Sequence, residues 1–423
     1  MEYALISKKL PLDIVRSHAV KAGVTDIEEA RLMGQIFCNL SDEQISILSK
    51  IPDLKIKKLK TFRVNAAAPK VMLSSYAHYM PLSENVWSVF NGVRSLFEPP
   101  ITGSGLTVAV VDTGIRKTHR SLENKIVNEA NFSGSPSADD VFGHGTQVAF
   151  AVGGGSHDDE LVGVSPDTSI VNIKVINDFG IATEDAIVRG IDEVCRLATS
   201  AHESMKPRTD KLWPNVINLS LGAPDDGDED SPLRIACRRA IQDFGLDIVA
   251  AAGNSGPNMT TIEIPGTEPL NMTVGGVKTQ YDIEIWERSS RGPTQRGDVK
   301  PDFVFWSVDV RMASHRSNTG YDVMSGTSFS APMLSGLTGL LWEAGRREYG
   351  ENWVFKWTEA REVAHEFCVK PPDAPVHKGN TYGYGLPAVS RMMDELKRVP
   401  FSADTDWLFQ LMMVLAMFGM VTK

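Results

Sequence analysis

Four short runs of apolar residues, rich in valine and isoleucine, follow one another along the middle of the chain. Polar and apolar positions do not alternate within them, and such continuous runs are typical of strands buried on both faces of a sheet. The runs are LTVAVVD at 106–112, SIVNIKVI at 169–176, NVINLSLG at 215–222 and LDIVAAAGN at 246–254. They predict the central strands of one sheet.

Segments with helical periodicity separate these runs. Two of them place apolar residues three or four positions apart: 183–199, with Ile187, Ile191, Val194 and Leu197, and 231–244, with Ile235, Ala236 and Ile241. Strands that alternate with helices predict a mostly parallel sheet with helices on both faces, which is a doubly wound α/β fold.

The first part of the chain has a different pattern. A capping-box sequence at Ser41–Gln44 predicts the start of a short helix, which Pro52 ends. In LKIKKLK at 54–60, apolar residues then alternate with lysines, as in a half-buried strand, although Leu59 falls out of phase. We therefore predict a small α/β domain over residues 1–75.

Changes in composition suggest the remaining boundaries. Residues 65–69 (NAAAP) have no periodicity and indicate the start of a linker. We assign residues 76–398 to the larger domain and 399–423 to an apolar C-terminal tail. Within the tail, 407–421 are too few to span a bilayer, which takes about 20 residues. We expect a helix packed on the protein or on a partner, with membrane-surface contact and a disordered or artefactual tail as alternatives.

The composition narrows the functional class. With 423 residues, 42% of them hydrophobic, the chain has enough apolar material for a large core. Its net charge of -10 disfavours a general nucleic-acid-binding protein, because phosphate binding needs a basic surface. No C-x-x-C pair and no signal-like apolar stretch at the N-terminus are present. The sequence therefore predicts a protein of the reducing cytoplasm. Its four cysteines are Cys38, Cys195, Cys237 and Cys368.

Three segments carry an acid, a histidine and a serine in settings that favour chemistry. Asp112 ends the first apolar run before a glycine turn, an arrangement also found in nucleotide sites, metal sites and simple turn caps. His144 lies between two glycines at the start of a predicted helix, so other groups can approach its ring closely. Ser328 lies in a hydroxyl-rich turn before another apolar helix, where a serine is usually an N-cap.

The motifs around these residues resemble those of one family. The blocks VVDTGI at 110–115, GHGTQVA at 143–149, AAGNSGP at 251–257 and SGTSFSAP at 325–332 are similar, in order, to the signature blocks of subtilisin-like serine peptidases, the subtilases. The Asp-His-Ser order fits that family, whereas α/β-hydrolases follow the order Ser, Asp/Glu, His with a G-x-S-x-G serine. The resemblance extends over roughly residues 80 to 390.

The resemblance implies a role for each residue. Ser328 would be the nucleophile, His144 its general base and Asp112 the group that orients His144. Asn254 and the Ser328 N–H would stabilise the oxyanion, the alternative for Asn254 being an ordinary turn residue. No cofactor is needed for this chemistry. Residues 1–75 are similar to the family's propeptide, which would act as an intramolecular inhibitor.

Substrate-binding residues also follow from the resemblance. Ser220, Leu221 and Gly222 match the strand that pairs with extended polypeptide substrates. The walls of the S1 pocket, which receives the P1 residue before the cleaved bond, would include Ala252 and Gly253, with Glu263 at its base. A carboxylate there predicts a preference for Lys or Arg at P1, strengthened by the acidic loop 225–230. The alternatives are an outward-pointing Glu263 and a solvated loop.

One departure from the family concerns calcium. Its high-affinity site uses a carboxylate where this chain has Ser121, which leaves Asp158, Asp159 or Glu160 as ligands for a cation that takes about 6–8 oxygens. We therefore assign no metal ligand and keep structural calcium as the less favoured alternative.

The leading hypothesis is an endopeptidase made as a self-processing zymogen. A silent binding protein with the same fold and a non-peptide esterase or lipase are the competing hypotheses. We predict the processing site between about Ala66 and Leu82, where Lys70 would suit a basic P1 preference.

Overall fold

A computed structural model describes residues 1–64, 86–156, 161–278, 283–361 and 364–398 of the chain. The predicted linker start at 65–69, the boundary near residue 75, the processing region and the C-terminal tail all lie outside these residues. No helix in the described ranges is long and apolar enough to cross a membrane.

The N-terminal unit, residues 1–64, has its own four-stranded antiparallel sheet with the order β2-β3-β1-β4. Its elements are β1 (Tyr3–Ser7), α1 (Leu12–Lys21), β2 (Ile27–Ala30), β3 (Gln35–Cys38), α2 (Asp42–Leu48), β4 (Leu54–Lys58) and β5 (Thr61–Arg63). Ser41 and Gln44 form the predicted capping box at the start of α2. The predicted strand is β4, and it ends before the out-of-phase Leu59.

The remaining described residues are organised around a second, larger sheet. Its strands and those beside it are β6 (Thr107–Asp112), β7 (Ile126–Asn131), β8 (Ser169–Lys174), β9 (Ile181–Thr183), β10 (Val216–Leu219), β11 (Asp247–Ala251), β12 (Met272–Val277), β13 (Phe303–Trp306), β14 (Val310–Ala313), β15 (Tyr321–Met324), β16 (Cys368–Val369) and β17 (Leu386–Pro387). The helices are α3 (Val86–Arg94), α4 (His144–Gly153), α5 (Glu184–Glu203), α6 (Pro232–Gln242), α7 (Thr327–Tyr349), α8 (Trp357–Ala360) and α9 (Val389–Arg398).

Seven parallel strands form this sheet in the order β13-β12-β11-β10-β6-β8-β7. Side chains of β6 alternate between two cores: Val108 and Val110 pack with α4 and α7, while Ala109 and Val111 pack with α5 and α6. Both faces are therefore covered, which explains why the strands show no polar alternation. The predicted doubly wound α/β fold is confirmed.

The N-terminal sheet lies between two layers of helices. One face packs on α1 and α2, and the other packs on α5 and α6 of the larger domain through side chains that include Ile6 and Phe37. The backbone N–H groups of Leu32 and Met33 donate to Asp192 Oδ1 at 2.7 and 3.0 Å. This unit is thus attached to the larger domain by both apolar and polar contacts.

Candidate active site

The carboxyl end of the larger sheet brings Asp112 and His144 together. Asp112 is the last residue of β6, and His144 is the first residue of α4. His144 Nδ1 lies 2.8 Å from Asp112 Oδ1 and 3.0 Å from Oδ2, and both side chains are 1% exposed. A neutral imidazole that donates through Nδ1 has Nε2 as its acceptor, so this contact fixes which nitrogen can take a proton.

Ser328 is the second residue of α7 and lies beside this pair. The ring of its neighbour Phe329 is 5.6 Å from the His144 ring. Ser328 Oγ donates to Ser220 O at 3.3 Å, and His144 Nε2 is buried with no hydrogen-bond partner among the described residues. The aspartate–histidine contact is therefore formed, while the serine hydroxyl points to a neighbouring carbonyl. The direction of a serine hydroxyl depends on its χ1 rotamer.

Asn254 lies in the turn that follows β11. Its Oδ1 accepts hydrogen bonds from the backbone N–H and the hydroxyl of Thr327, both at 2.9 Å. Because two donors fix the oxygen end of the amide, the Nδ2 end must face the other way, close to Gly326 at the start of α7. The side-chain amide of Asn254 is thus held against the first turn of α7, which carries Ser328.

The segment Ser220–Gly222 is attached to α7 beside Ser328. Ser220 Oγ donates to Ser328 O at 2.8 Å and accepts from Asn218 Nδ2 at 2.8 Å. Ser220 and Leu221 are both buried. The segment that the sequence assigns to substrate pairing therefore borders Ser328, and its pairing with substrate stays a prediction.

The Glu263 side chain points between the two segments that contain Gly222 and Gly253. The region bordered by these segments, Ser328 and β9 is called the cleft. A Cβ atom at Gly222 would lie 2.3 Å from Glu263 Oε2, and one at Gly253 would lie 2.6 Å from its carboxyl carbon. The Glu263 N–H also donates to Ala252 O at 2.9 Å. The side chain is thus directed inward, and the alternative of an outward-pointing Glu263 is wrong.

The Glu263 carboxylate has few partners for a buried charge. Glu263 is 5% exposed, and Ser255 Oγ donates to its Oε1 at 2.7 Å. Burial raises its pKa, and hydrogen bonds from Ser255 and the Asn254 backbone partly oppose the rise. No lysine or arginine within the described ranges forms an ion pair with it, and only the Ser255 hydroxyl and the Asn254 backbone oppose the effect of burial. The Glu263 carboxylate is therefore not neutralised by a cation of the described residues.

The acidic loop does not add to this charge in the way the sequence suggested. Its aspartates pair with lysines of the N-terminal unit: Asp226 with Lys60 at 2.8 Å, Asp228 with Lys57 at 2.7 Å, and Asp230 with Lys55 and with Lys8 at 3.1 Å. Asp225 pairs with the buried Arg234 at 2.7 Å. The prediction of a free negative field is thus corrected for the chain with its N-terminal unit in place, because lysines of that unit and the nearby Arg234 pair with the aspartates of the loop.

The last strand of the N-terminal unit enters the cleft. β5 pairs with β9 in antiparallel register, and Arg63 pairs with Gly222 on the other side. Val64 N–H continues the pairing by donating to Gly180 O at 3.2 Å. Phe62 is fully buried. The cleft thus holds an extended segment of this chain between β9 and the predicted substrate-pairing segment.

Sequence reasoning missed one buried acid beside the site. Asp140 precedes α4 and is 6% exposed. Burial raises its pKa, and hydrogen bonds from Thr146, Gly143 and Thr113 oppose the rise. An acidic residue just before the first turn of a predicted helix was the available signal, since carboxylates are favoured at helix N-termini.

The position of the family's calcium site carries few acidic groups in this chain. Ser121 is buried, and its Oγ lies 3.1 Å from Tyr321 OH, so it offers no charged ligand. No group of three or more acidic, histidine or cysteine side chains in the described ranges could hold a metal ion. Asp158, Asp159 and Glu160 lie outside those ranges. The described part of this position does not fit a calcium site.

Comparisons with known proteins give a family match. The model of the Subtilase family matches residues 103–385, more than half of the chain. Serine protease AprX of Bacillus subtilis (strain 168) is 32% identical over 264 residues, 57% of this chain and 58% of that protein. Subtilisin of Bacillus sp. (strain TA39) is 27% identical over 323 residues, 72% of each chain. Subtilisin-like protease SBT6.1 of Arabidopsis thaliana is 27% identical over 354 residues, 79% of this chain but 32% of its own length. Two of these three relatives are therefore matched over less than two thirds of their length.

Proposed function

The chain belongs to the subtilase family, and on this premise we propose that it is a serine endopeptidase that cleaves polypeptides through an acyl-enzyme. Ser328 acts as the nucleophile, His144 as general base and then general acid, and Asp112 as the residue that orients His144. The bacterial relatives are a serine protease and a subtilisin, which supports this activity.

One observation carries the assignment. His144 donates through Nδ1 to the buried Asp112, while its Nε2 is buried without a hydrogen-bond partner in the described ranges. Because Nδ1 is engaged by Asp112, Nε2 is left as the acceptor of the ring and is the nitrogen that takes the proton of Ser328.

The reaction follows from these positions. Ser328 Oγ rotates from Ser220 O toward Nε2 and attacks the scissile carbonyl, and its proton passes to His144. The tetrahedral oxyanion accepts hydrogen bonds from Asn254 Nδ2 and the Ser328 N–H. His144 then protonates the leaving amine as the C–N bond breaks. Water, deprotonated by His144, hydrolyses the acyl-enzyme and regenerates Ser328.

The first experiment compares wild type with Ser328→Ala. Both proteins are incubated with a peptide library and with short acyl esters while their intact masses are followed. We expect only wild type to cut peptides. Cleavage of esters but not of peptides would replace the endopeptidase with an esterase. Failure of both proteins on every substrate, even after the N-terminal unit is removed, would support a silent binding protein.

The preferred substrate has Lys or Arg at P1. Glu263 lies inside the cleft between Gly222 and Gly253, and it lacks a cationic partner in the described structure. A basic P1 side chain inserted between these segments would neutralise it, which makes binding of the cation favourable at a site that has already lost water.

The N-terminal unit acts as an intramolecular inhibitor. β5 pairs with β9 and Gly222 and so occupies the place of an extended substrate, and salt bridges to the acidic loop hold the unit there. The larger part of the chain is then inactive until the unit is cleaved and released. We accordingly propose domain boundaries near residues 75 and 398.

The pairing register suggests where self-cleavage occurs. Arg63 lies opposite Gly222. Counting two residues further in an antiparallel register leads to Ser220, whose carbonyl accepts from Ser328 Oγ, and to the bond after Asn65. That bond lies outside the described ranges, at the start of the predicted processing region. Intramolecular cleavage tolerates a neutral P1 residue because the effective concentration of the bond is high.

Proline scanning tests this register. Ala66→Pro removes the N–H and restricts the backbone on the leaving side of the proposed bond. We expect it to prevent release of a fragment ending at Asn65, whereas Ala68→Pro should leave the release intact. A fragment that ends elsewhere in wild type would contradict the register but not the activity.

Several sequence predictions remain predictions. These are the cytoplasmic location, calcium as a less favoured structural ion, and the role of the C-terminal tail on the protein, a partner or a membrane surface. The four cysteines all lie within the described residues, and no disulfide bond joins any of them.

A further inference from the structure

Asp140 accepts hydrogen bonds from both elements that carry the aspartate–histidine pair. Its Oδ1 accepts from Thr113 Oγ1 at 2.9 Å and from the Gly143 N–H at 2.6 Å. Its Oδ2 accepts from the N–H and the hydroxyl of Thr146 at 2.9 and 2.6 Å. One buried carboxylate thus has four donors.

These donors are next to the residues proposed to act in catalysis. Thr113 directly follows Asp112, and its Oγ1 also accepts from the Gly145 N–H at 2.8 Å. Gly143 and Gly145 are the two neighbours of His144 in the chain. The hydrogen bonds through Asp140 and Thr113 therefore join the end of β6 to the start of α4 on both sides of His144.

The start of α4 needs such a support. Gly143 has φ of 110° and provides no capping side chain, and a glycine on each side of His144 offers no Cβ to pack the turn. The first N–H groups of a helix have no intrahelical acceptor, so a carboxylate that accepts two of them fixes the turn in place.

We propose that Asp140 is a positioning residue for the proposed peptidase reaction. Through Thr113 and the first turn of α4 it sets the distance and angle between Asp112 and His144, and hence the direction of His144 Nε2 toward Ser328. This inference rests on the proposed function only for its kinetic readout, because the hydrogen-bond geometry is independent of turnover.

A carboxylate is required for this role. All four partners of Asp140 are used as donors, and an asparagine at this position must direct its NH₂ group at two of them. The resulting donor–donor contact displaces either Thr113 or the first turn of α4. A displacement on the order of 1 Å at a catalytic pair lowers the rate about 100-fold.

The test uses four substitutions in the full chain. Asp140→Asn and Thr113→Val break the two halves of the connection, and Thr113→Ser keeps the hydroxyl. Asp139→Asn is the matched control, because Asp139 is adjacent, carries the same charge and is exposed. Active sites are counted with a fluorophosphonate, so that kcat refers to folded, reactive enzyme.

We expect kcat per titrated site to fall about 10- to 100-fold in Asp140→Asn and Thr113→Val, with KM within about twofold of wild type. Thr113→Ser should recover most of the rate, and Asp139→Asn should match wild type. A loss of thermal stability with unchanged kcat per titrated site, or a rise in KM alone, would overturn the proposal. If Asp140→Asn does not fold, Thr113→Val and Thr113→Ser decide it.

A second readout does not depend on activity. The Nδ1–H proton of His144 gives a resolved downfield NMR signal when it is held against a carboxylate, and we expect that signal to move or broaden in Asp140→Asn but not in Asp139→Asn. If the signal moves in Asp140→Asn while the wild-type protein cuts no peptide, the proposed function fails and the positioning inference stands. An unchanged signal contradicts the inference alone.

Discussion

Two buried carboxylates beside the cleft, Asp140 and Glu263, are satisfied in opposite ways. Asp140 accepts four hydrogen bonds from fixed backbone and hydroxyl donors. Glu263 accepts from the Ser255 hydroxyl and the Asn254 backbone, and it pairs with no basic side chain in the described ranges. Burial raises the pKa of both.

The difference distinguishes carboxylates that position other residues of the site from carboxylates that can bind a cationic ligand. A carboxylate whose acceptor positions are filled by the protein can only fix geometry, as Asp140 does for β6 and α4. A carboxylate with unused acceptor positions in a cleft gains stabilisation when a cation enters. Asp112 belongs with Asp140, since its acceptor contacts are to His144 and to the Thr113 N–H at 2.7 Å.

The largest effect is expected from substitution of Asp112, one of the carboxylates that hold the geometry of the site. Asp112→Asn replaces the carboxylate that accepts from the His144 Nδ1–H with an amide. The amide NH₂ can donate to an unprotonated Nδ1, which favours the tautomer that carries its proton on Nε2 and cannot act as the base. We expect kcat to fall by about 10⁴-fold while the circular dichroism spectrum stays that of wild type. Activity within tenfold of wild type would remove Asp112 from the mechanism.

The next prediction concerns the carboxylate that lacks a partner. Glu263→Gln keeps the shape of the side chain and removes its charge. A hydrogen bond to a charged group contributes about 1.5–3 kcal/mol, so wild type should prefer P1 arginine over neutral citrulline by about 10- to 150-fold in kcat/KM. We expect the ratio to approach one in Glu263→Gln. Glu203→Gln, at the exposed end of α5, is the control, and an equal ratio in all three proteins would contradict the S1 assignment.

A pH titration sharpens the same point. Glu263 attracts a cation only when ionised, and burial raises its pKa above the ordinary value of 4.5. As the pH falls through this raised pKa the carboxyl becomes neutral, so the arginine-to-citrulline ratio should decline at a higher pH than an exposed glutamate would allow. The ratio should not vary with pH in Glu263→Gln. A constant ratio in wild type down to pH about 4 would contradict the prediction.

The smallest effect is expected at the acidic loop 225–230, whose aspartates pair with lysines of the N-terminal unit. Each partly exposed pair contributes about 0.2–1 kcal/mol, so Lys57→Ala or Lys60→Ala should weaken retention of the cleaved N-terminal unit by about 1.5- to 5-fold. Activity that appears on dilution after self-cleavage measures this release, and added salt should reduce the difference. Lys50→Ala, which removes an exposed lysine of the same unit, should have no effect. Equal release from all three variants would show that apolar packing alone retains the unit.

The sequence predicts the elements of the fold where patterns are local. The continuous runs identify β6, β8, β10 and β11, and the capping box identifies α2, because burial on both faces and helix capping leave a signal in neighbouring residues. Strands β7, β12 and β13 were not predicted. They complete the same sheet from segments in which glycine, polar or aromatic residues interrupt the β-branched pattern.

The chemistry of the site divides in the same way. The motifs indicated Asp112, His144, Ser328 and Asn254, and the fold brings the carboxyl ends of β6 and β11 together with the first turns of α4 and α7. The orientation of Ser328 Oγ, the partners of Asp140 and the lysines that neutralise the acidic loop depend on contacts between segments far apart in sequence. Such contacts are set by tertiary packing and leave no local pattern to interpret.

The most direct test of the central assignment is to map the site of fluorophosphonate labelling by peptide mass spectrometry after the N-terminal unit has been released. The reagent forms a covalent bond only with a serine that a neighbouring base activates. We predict a single adduct on Ser328 in wild type, lost peptidase activity in proportion to labelling, and no adduct in His144→Ala. Inactivation with the adduct on another residue, or peptidase activity that survives full labelling of Ser328, would contradict the account.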